Sequence, residues 1–177
     1  MSPDANASHL GLPAYYNYLQ GGRPVDAGRA FDNATLVFGH QYVLDDVTPL
    51  YAFGSGLSYS NFTYDNLSLG SQNVSGDATV EVSVDVTNEG DVDGQEVVQI
   101  YFRDVVSSVV TPVKQLVGFA KVLIAAGETQ TVYVNISVAD MALWDEDEVR
   151  RVEPGEFTIW AGGASDNLPL NQTLYVV

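Results

Sequence analysis

From about residue 61 the chain alternates between apolar and polar positions. Val80, Val82, Val84 and Val86 interleave with Thr79, Glu81, Ser83, Asp85 and Thr87. Successive side chains on a strand point to opposite faces, so this spacing predicts a half-buried strand with its valines turned inward. Asn88 to Gly94 supplies Asn, Asp and Gly and predicts a turn. Val98, Ile100 and Phe102 give the inner face of a second strand, and Leu116 to Ile124 forms a third with less regular alternation. Gly127-Glu128 turns the chain into Val132, Val134, Ile136 and Val138, a strand on which Asn135 falls on the outer face. Phe157, Ile159 and Ala161 alternate with Glu156, Thr158 and Trp160. Thr173 to Val177 is predicted to close the module and Phe62 to Leu69 to open it.

About seven short strands at regular spacing, with turn signals between them, predict an all-β sandwich. No helix of crossover length separates the strands, which argues against parallel pairing. One helical turn is predicted at Ala139 to Leu143, with Ser137-x-x-Asp140 as a capping-box-like start. Residues 1–60 differ in texture, being rich in Gly, Pro and Tyr without sustained periodicity. Pro13 to Tyr18 and Leu50 to Tyr59 read as loops and turns. Their apolar residues need something to pack against, so this loop-rich segment reads as a covering strap or as the end of a larger domain.

Composition narrows the function. At 177 residues the chain is too short for a (β/α)₈ barrel, which needs about 250. The apolar fraction of 46% supports a real core, and a formal charge of −16 disfavours nucleic acid and anionic membrane surfaces as partners. The absence of cysteine excludes disulfides, thiolate nucleophiles and sulfur-ligated metals. Met1 to Leu10 has neither a basic nor an apolar region of signal-peptide type. The uncharged run Val47 to Tyr64 is interrupted by Pro49, Gly54 and Gly56 and is rejected as a spanning helix. Seven of the ten asparagines sit in N-x-S/T motifs, namely Asn6, Asn33, Asn61, Asn66, Asn73, Asn135 and Asn171. Ser and Thr fill 23 of 177 positions, so random placement would give about 1.3 such motifs. The excess predicts a secreted, N-glycosylated chain. With no signal peptide in view, it also leads to the expectation that Met1 is not the natural start.

Candidate chemistry is sparse. Asp145-Glu146-Asp147-Glu148 lacks the spacing of a calcium loop and reads as a solvated turn with Arg150 and Arg151 as countercharges. Asp91, Asp93 and Glu96 around Gly94 read as a hairpin-type turn. A glycosidase requires two carboxyl groups at set separation across a cleft, and no pair here stands in a recognisable pocket context. His9 and His40 have no partner at metal-ligand spacing, and no G-x-S-x-G motif is present. Gly21-Gly22-Arg23-Pro24 reads as a turn. Tyr15, Tyr16, Tyr18, Tyr51 and Tyr59 are numerous enough to stack on sugar rings, although core or interface packing is the expected use for most. No cofactor or metal is implied.

Several ordered stretches nevertheless resemble the C-terminal end of a family 3 glycoside hydrolase of the fungal β-glucosidase type. They are Leu12-Pro13-Ala14-Tyr15-Tyr16-Asn17-Tyr18, Phe38-Gly39-His40-Gln41-Tyr42, Thr48 to Tyr59, Val97 to Asp104, Pro112 to Phe119 and Val152 to Phe157. The block Thr48 to Tyr59 departs from the family's PLYPFGYGLSY pattern at Ala52 and Ser55, where Pro and Tyr are usual. The resemblance implies that residues 1–60 are the tail of an α/β sandwich domain and its linker, and that residues 61–177 are a fibronectin type III-like (immunoglobulin-like) β-sandwich. The family's nucleophilic aspartate and acid/base glutamate lie upstream of anything matching here, so no catalytic residue carries over. This implies an accessory, catalytically inert part of a β-glucosidase-like hydrolase, partnered by missing N-terminal catalytic domains. A β-glucan or cello-oligosaccharide is a further possible partner. The alternative is a stand-alone secreted module that binds carbohydrate or a cell surface. A third reading takes the acidity as adaptation to high salt.

Overall fold

The computed structural model describes residues 30–31, 34–35 and 49–177. The chain divides into two compact units, Met1–Tyr51 and Ala52–Val177. In the first, strands β1 (Ala30–Phe31) and β2 (Ala34–Thr35) pair antiparallel.

The second unit is the sandwich. Its strands are β3 (Phe62–Leu69), β4 (Asn73–Val74), β5 (Thr79–Asn88), β6 (Gly94–Asp104), β7 (Gln115–Ile124), β8 (Thr129–Ser137), β9 (Leu143–Trp144), β10 (Arg150–Arg151), β11 (Gly155–Gly162) and β12 (Leu170–Val176). One sheet has the order β3-β5-β8 and the other β4-β12-β11-β6-β7; β9 and β10 form a separate hairpin. All the long strands pair antiparallel, and only the two-residue β4 runs parallel to its neighbour β12. The seven long strands are those the alternation predicts, with β12 beginning earlier than expected, at Leu170.

The core lies between the inner faces. Val82, Val84, Val86 and Ile136 from the smaller sheet, and Val98, Ile100, Ile159 and Leu174 from the larger, are wholly buried in one cluster. Phe102 and Phe157 meet there with ring centroids 6.4 Å apart and tilted by 42°. Gly118 on β7 permits the close approach of the sheets, since a Cβ there would stand 2.9 Å from Val134 Cγ1 and 3.1 Å from Ile136 Cγ2.

Two turns are tied together by Asn88, which is fully buried. Its Nδ2 donates to Val92 O at 2.8 Å and to Ile124 O at 3.0 Å, and its Oδ1 accepts from Gly90 N at 2.9 Å. Its backbone joins the same knot, donating to Glu128 O and accepting from Gly127 N. A buried amide fully satisfied in this way fixes both turns at once. The predicted helical turn is a 3₁₀ turn at Val138–Met141, and here the structure corrects the capping expectation. Ser137 stands at the N-cap position but makes no side-chain cap bond, and Asp140 is exposed. So short a turn is held by the buried side chains of Val138 and Met141 instead.

Truncating a core side chain tests this arrangement. Ile159→Ala is expected to cost about 2–5 kcal/mol in urea unfolding, through lost transfer energy and the cavity left behind. Exposed Gln130→Ala should stay within about 0.5 kcal/mol.

Candidate functional site

The outer face of the five-stranded sheet carries the most distinctive constellation of the sandwich. On β6, Val98, Ile100 and Phe102 face the core, so Gln99 and Tyr101 project from the other side. Both are nevertheless buried. The segment from Ala52 crosses this face. Ser55 N donates to Ala52 O at 3.1 Å, and Gly54 adopts φ 80°, the geometry of a type II turn. Gln99 clamps the turn, its Nε2 donating to Gly54 O at 3.1 Å and to Gly163 O at 2.5 Å while its Oε1 accepts from Tyr101 OH at 2.7 Å. Ser165 N donates to Phe53 O at 2.9 Å, and Lys114 Nζ donates to Ser165 O at 2.8 Å. Ser60 closes the strap by donating to Val92 O at 2.8 Å. A side chain at Gly54 would start 2.1 Å from Gln99 Oε1, so glycine is required there for space as well as for backbone.

The strap therefore docks with Ala52 buried, although Ala52 and Ser55 depart from the usual pattern. Its other side is open: Leu57 and Tyr59 are fully exposed, and Phe53 partly so. Tyr59 and Tyr51 are both exposed, so neither packs into the sandwich core. Ala52 to Ser60 is pinned by backbone bonds, which leaves its larger side chains pointing outward.

The acidic groups serve the scaffold. Asp145 Oδ1 accepts from Asp147 N and Val149 N, both at 2.9 Å, and its other oxygen pairs with Arg151. Those backbone donors, more than Arg151, hold its pKa below the ordinary value. Residues 145–149 thus form the tip of the β9–β10 hairpin, the turn that the sequence suggests. Asp91, Asp93 and Glu96 do not converge. Asp91 is exposed, Asp93 Oδ1 accepts from Ala126 N at 3.0 Å, and Glu96 points inward. Tyr64 on β3 donates to Glu96 Oε1 at 2.6 Å, bridging the two sheets. Burial, reinforced by Glu96, pushes the Tyr64 phenol far above its usual range. Burial also raises the Glu96 carboxyl, against the opposing effect of the Tyr64 bond. Asp104, at the end of β6, is likewise raised by burial and accepts from Val106 N at 3.2 Å. Glu153 accepts from Ser108 N at 2.9 Å and from Ser108 Oγ at 2.5 Å, and these bonds lower its pKa.

Of the seven sequon asparagines, Asn61, Asn66, Asn73, Asn135 and Asn171 are exposed. Asn6 and Asn33 lie outside the described residues, as do Tyr15, Tyr16, Tyr18, His9, His40 and Gly21 to Pro24. Sequence reasoning missed the Gln99 clamp and the Tyr64–Glu96 bridge. The apolar run Val97 to Phe102, broken only by Gln99, was the available sign that β6 is covered on both faces.

Two predictions follow from these bonds. Gln99→Ala removes the donor to two carbonyls and the acceptor that Gln99 offers the Tyr101 hydroxyl. It is expected to cost at least about 2 kcal/mol in urea unfolding and to speed proteolytic cleavage within residues 52–60. Glu96 has a folded pKa raised above its ordinary 4.5, so the native state holds its proton more tightly than the unfolded chain. Its contribution to stability therefore falls as pH rises from about that value through the folded pKa. Glu96→Gln should remove this loss, so that its melting temperature relative to the wild type climbs between acid and neutral pH.

The fibronectin type III-like domain family matches residues 96–165. A periplasmic β-glucosidase of Salmonella typhimurium is 37% identical over 152 residues, covering 85% of this chain and 19% of the relative. A probable β-glucosidase K of Emericella nidulans is 35% identical over 170 residues, covering 93% of this chain and 18% of the relative. The crystal structure of a Listeria innocua β-glucosidase in complex with glucose superposes with a TM-score of 0.77 at 31% identity, over 94% of this chain and 22% of that one. The chain thus spans about a fifth of the length of these relatives. It corresponds to the C-terminal region of the family 3 glycoside hydrolases of β-glucosidase type, and its sandwich is their fibronectin type III-like domain.

Proposed function

We propose that the chain serves as the C-terminal accessory part of a secreted β-glucosidase-type hydrolase, supporting a catalytic body without performing hydrolysis itself. The observation that carries this reading is the match of nearly the whole chain to only about a fifth of its β-glucosidase relatives. The strap gives the role a physical form. One side is bonded to the sandwich through Gln99 and Ser165, and the other presents Leu57 and Tyr59 to solvent. An apolar strip held rigidly in this way suits docking against the preceding domains of the parent enzyme. Retaining hydrolysis of β-glucosides would be the parent's chemistry. The perturbed carboxyl groups of Glu96, Asp145 and Glu153 are already engaged in inter-sheet bonds and turns, which fits an inert scaffold. The periplasmic relative, the sequon excess and the exposure of five sequon asparagines support an extracytoplasmic, glycosylated setting.

Assay of the purified chain on an aryl β-glucoside is expected to give no turnover above a buffer control. Turnover abolished by substituting one of its own carboxylates would overturn the reading. The coding sequence upstream of Met1 is expected to continue in frame into a barrel domain. Retention of the chain on insoluble β-glucan, lost when Tyr15 or Tyr16 becomes Ala, would instead favour the stand-alone binding module.

A further inference from the structure

β7 and β8 are edge strands of different sheets that run beside one another on one flank of the sandwich. The register shift at Ile100/Tyr101 falls opposite Gly118–Leu116 and disturbs β7 where Gly118 lies against Val134 and Ile136. The seam opens there into a depression lined by Leu116–Phe119 of β7 and Tyr133–Asn135 of β8. Phe119 and Tyr133 are 65% and 61% exposed. Exposed aromatics beside two free strand edges invite association.

Asn135 stands in the same depression, exposed, within Tyr133-Val134-Asn135-Ile136-Ser137. Tyr133 and Asn135 are two residues apart on one strand, so their side chains leave the same face about 7 Å apart. Tyr59 and Tyr64 also precede sequons by two residues, but Tyr64 is buried and Tyr59 lies in the strap ahead of β3. At Asn135 the pleat of a single strand sets an exposed ring and the acceptor amide side by side, whereas Asn73 meets Tyr175 only across the β4–β12 pair.

We propose that Asn135 is N-glycosylated and that the first sugar of its glycan lies in this depression against Tyr133, covering the Phe119–Tyr133 pair. The proposal rests on the reading that the chain is glycosylated. An N-acetylglucosamine ring has a face of C–H groups that suits the electron-rich face of an aromatic ring. Its hydroxyl and acetamide groups remain free to meet the unpaired backbone groups of the strand edges. The glycan would then shield from association the flank that the sandwich leaves open.

The test uses the full chain secreted from a yeast host and trimmed with endoglycosidase H, so that one N-acetylglucosamine stays at each occupied site. Peptide mass spectrometry is expected to find the sugar on Asn135. Hydroxyl-radical footprinting is expected to show Tyr133 and Phe119 oxidised several-fold more slowly than in Asn135→Gln, with Tyr175 unchanged. Ser137→Ala, which removes the sequon but keeps the asparagine, should match Asn135→Gln. An unmodified Asn135 beside an occupied Asn61 or Asn171 overturns this inference alone. No sugar at any sequon overturns the glycosylation reading with it. An occupied Asn135 with unchanged Tyr133 oxidation overturns the stacking. A concentration-dependent dimer of the glycosylated chain that protects Phe119 overturns the proposal by assigning the depression to a second copy.

Discussion

Val80, Val82, Val84 and Val86 can be buried against Ile100, Phe102, Phe157 and Ile159 only while both sheets keep register. A slip of one residue on either sheet would turn a whole row outward and bring its polar neighbours in. Everything else in the sandwich is arranged around that condition. Asn88 fixes the β5–β6 turn to the β7–β8 turn, and Gly118 lets the sheet edges close. The Tyr64–Glu96 bond joins the sheets at a partly buried position, where it offsets part of the cost of desolvating the carboxyl group.

The outer face of the larger sheet solves a different problem. The strap crosses β6 with the carbonyls of Gly54 and Gly163 turned toward Gln99, which donates to both while accepting from Tyr101 OH. One amide with two donors and an acceptor is suited to that position, whereas a carboxylate could not donate and an aliphatic side chain could make none of the three bonds. The outward side of the strap remains apolar. That asymmetry, polar and satisfied below but apolar and exposed above, fits a segment seated between the sandwich and a larger body.

Much of the fold was legible because period-two alternation is a local signal. β5, β6, β8 and β11 declared their inner faces, and the turns at Asn88 to Gly94 and Gly127-Glu128 declared themselves by residue type. The Ser137 cap misled because capping patterns presume a helix long enough to need its first-turn donors satisfied, and the 3₁₀ turn here is four residues long. Glu96 read as part of a polar turn, yet it faces inward on the same side of β6 as Val98. Its partner lies 32 residues away on another sheet, a distance no local pattern spans.

By itself the sequence determined the all-β class, the strand order along the chain, the inward rows, and, through its ordered motifs, the kinship to the ends of β-glucosidases. Those follow from alternation, turn chemistry and motif order, which are properties of neighbours in the chain. The tertiary structure decided that Gln99 and Tyr101 are buried beneath a strap, that Glu96 meets Tyr64, and that Asn135 shares a depression with Phe119. Each of these joins residues far apart in sequence, and such contacts exist only once two sheets have packed and their edges and outer faces have been placed.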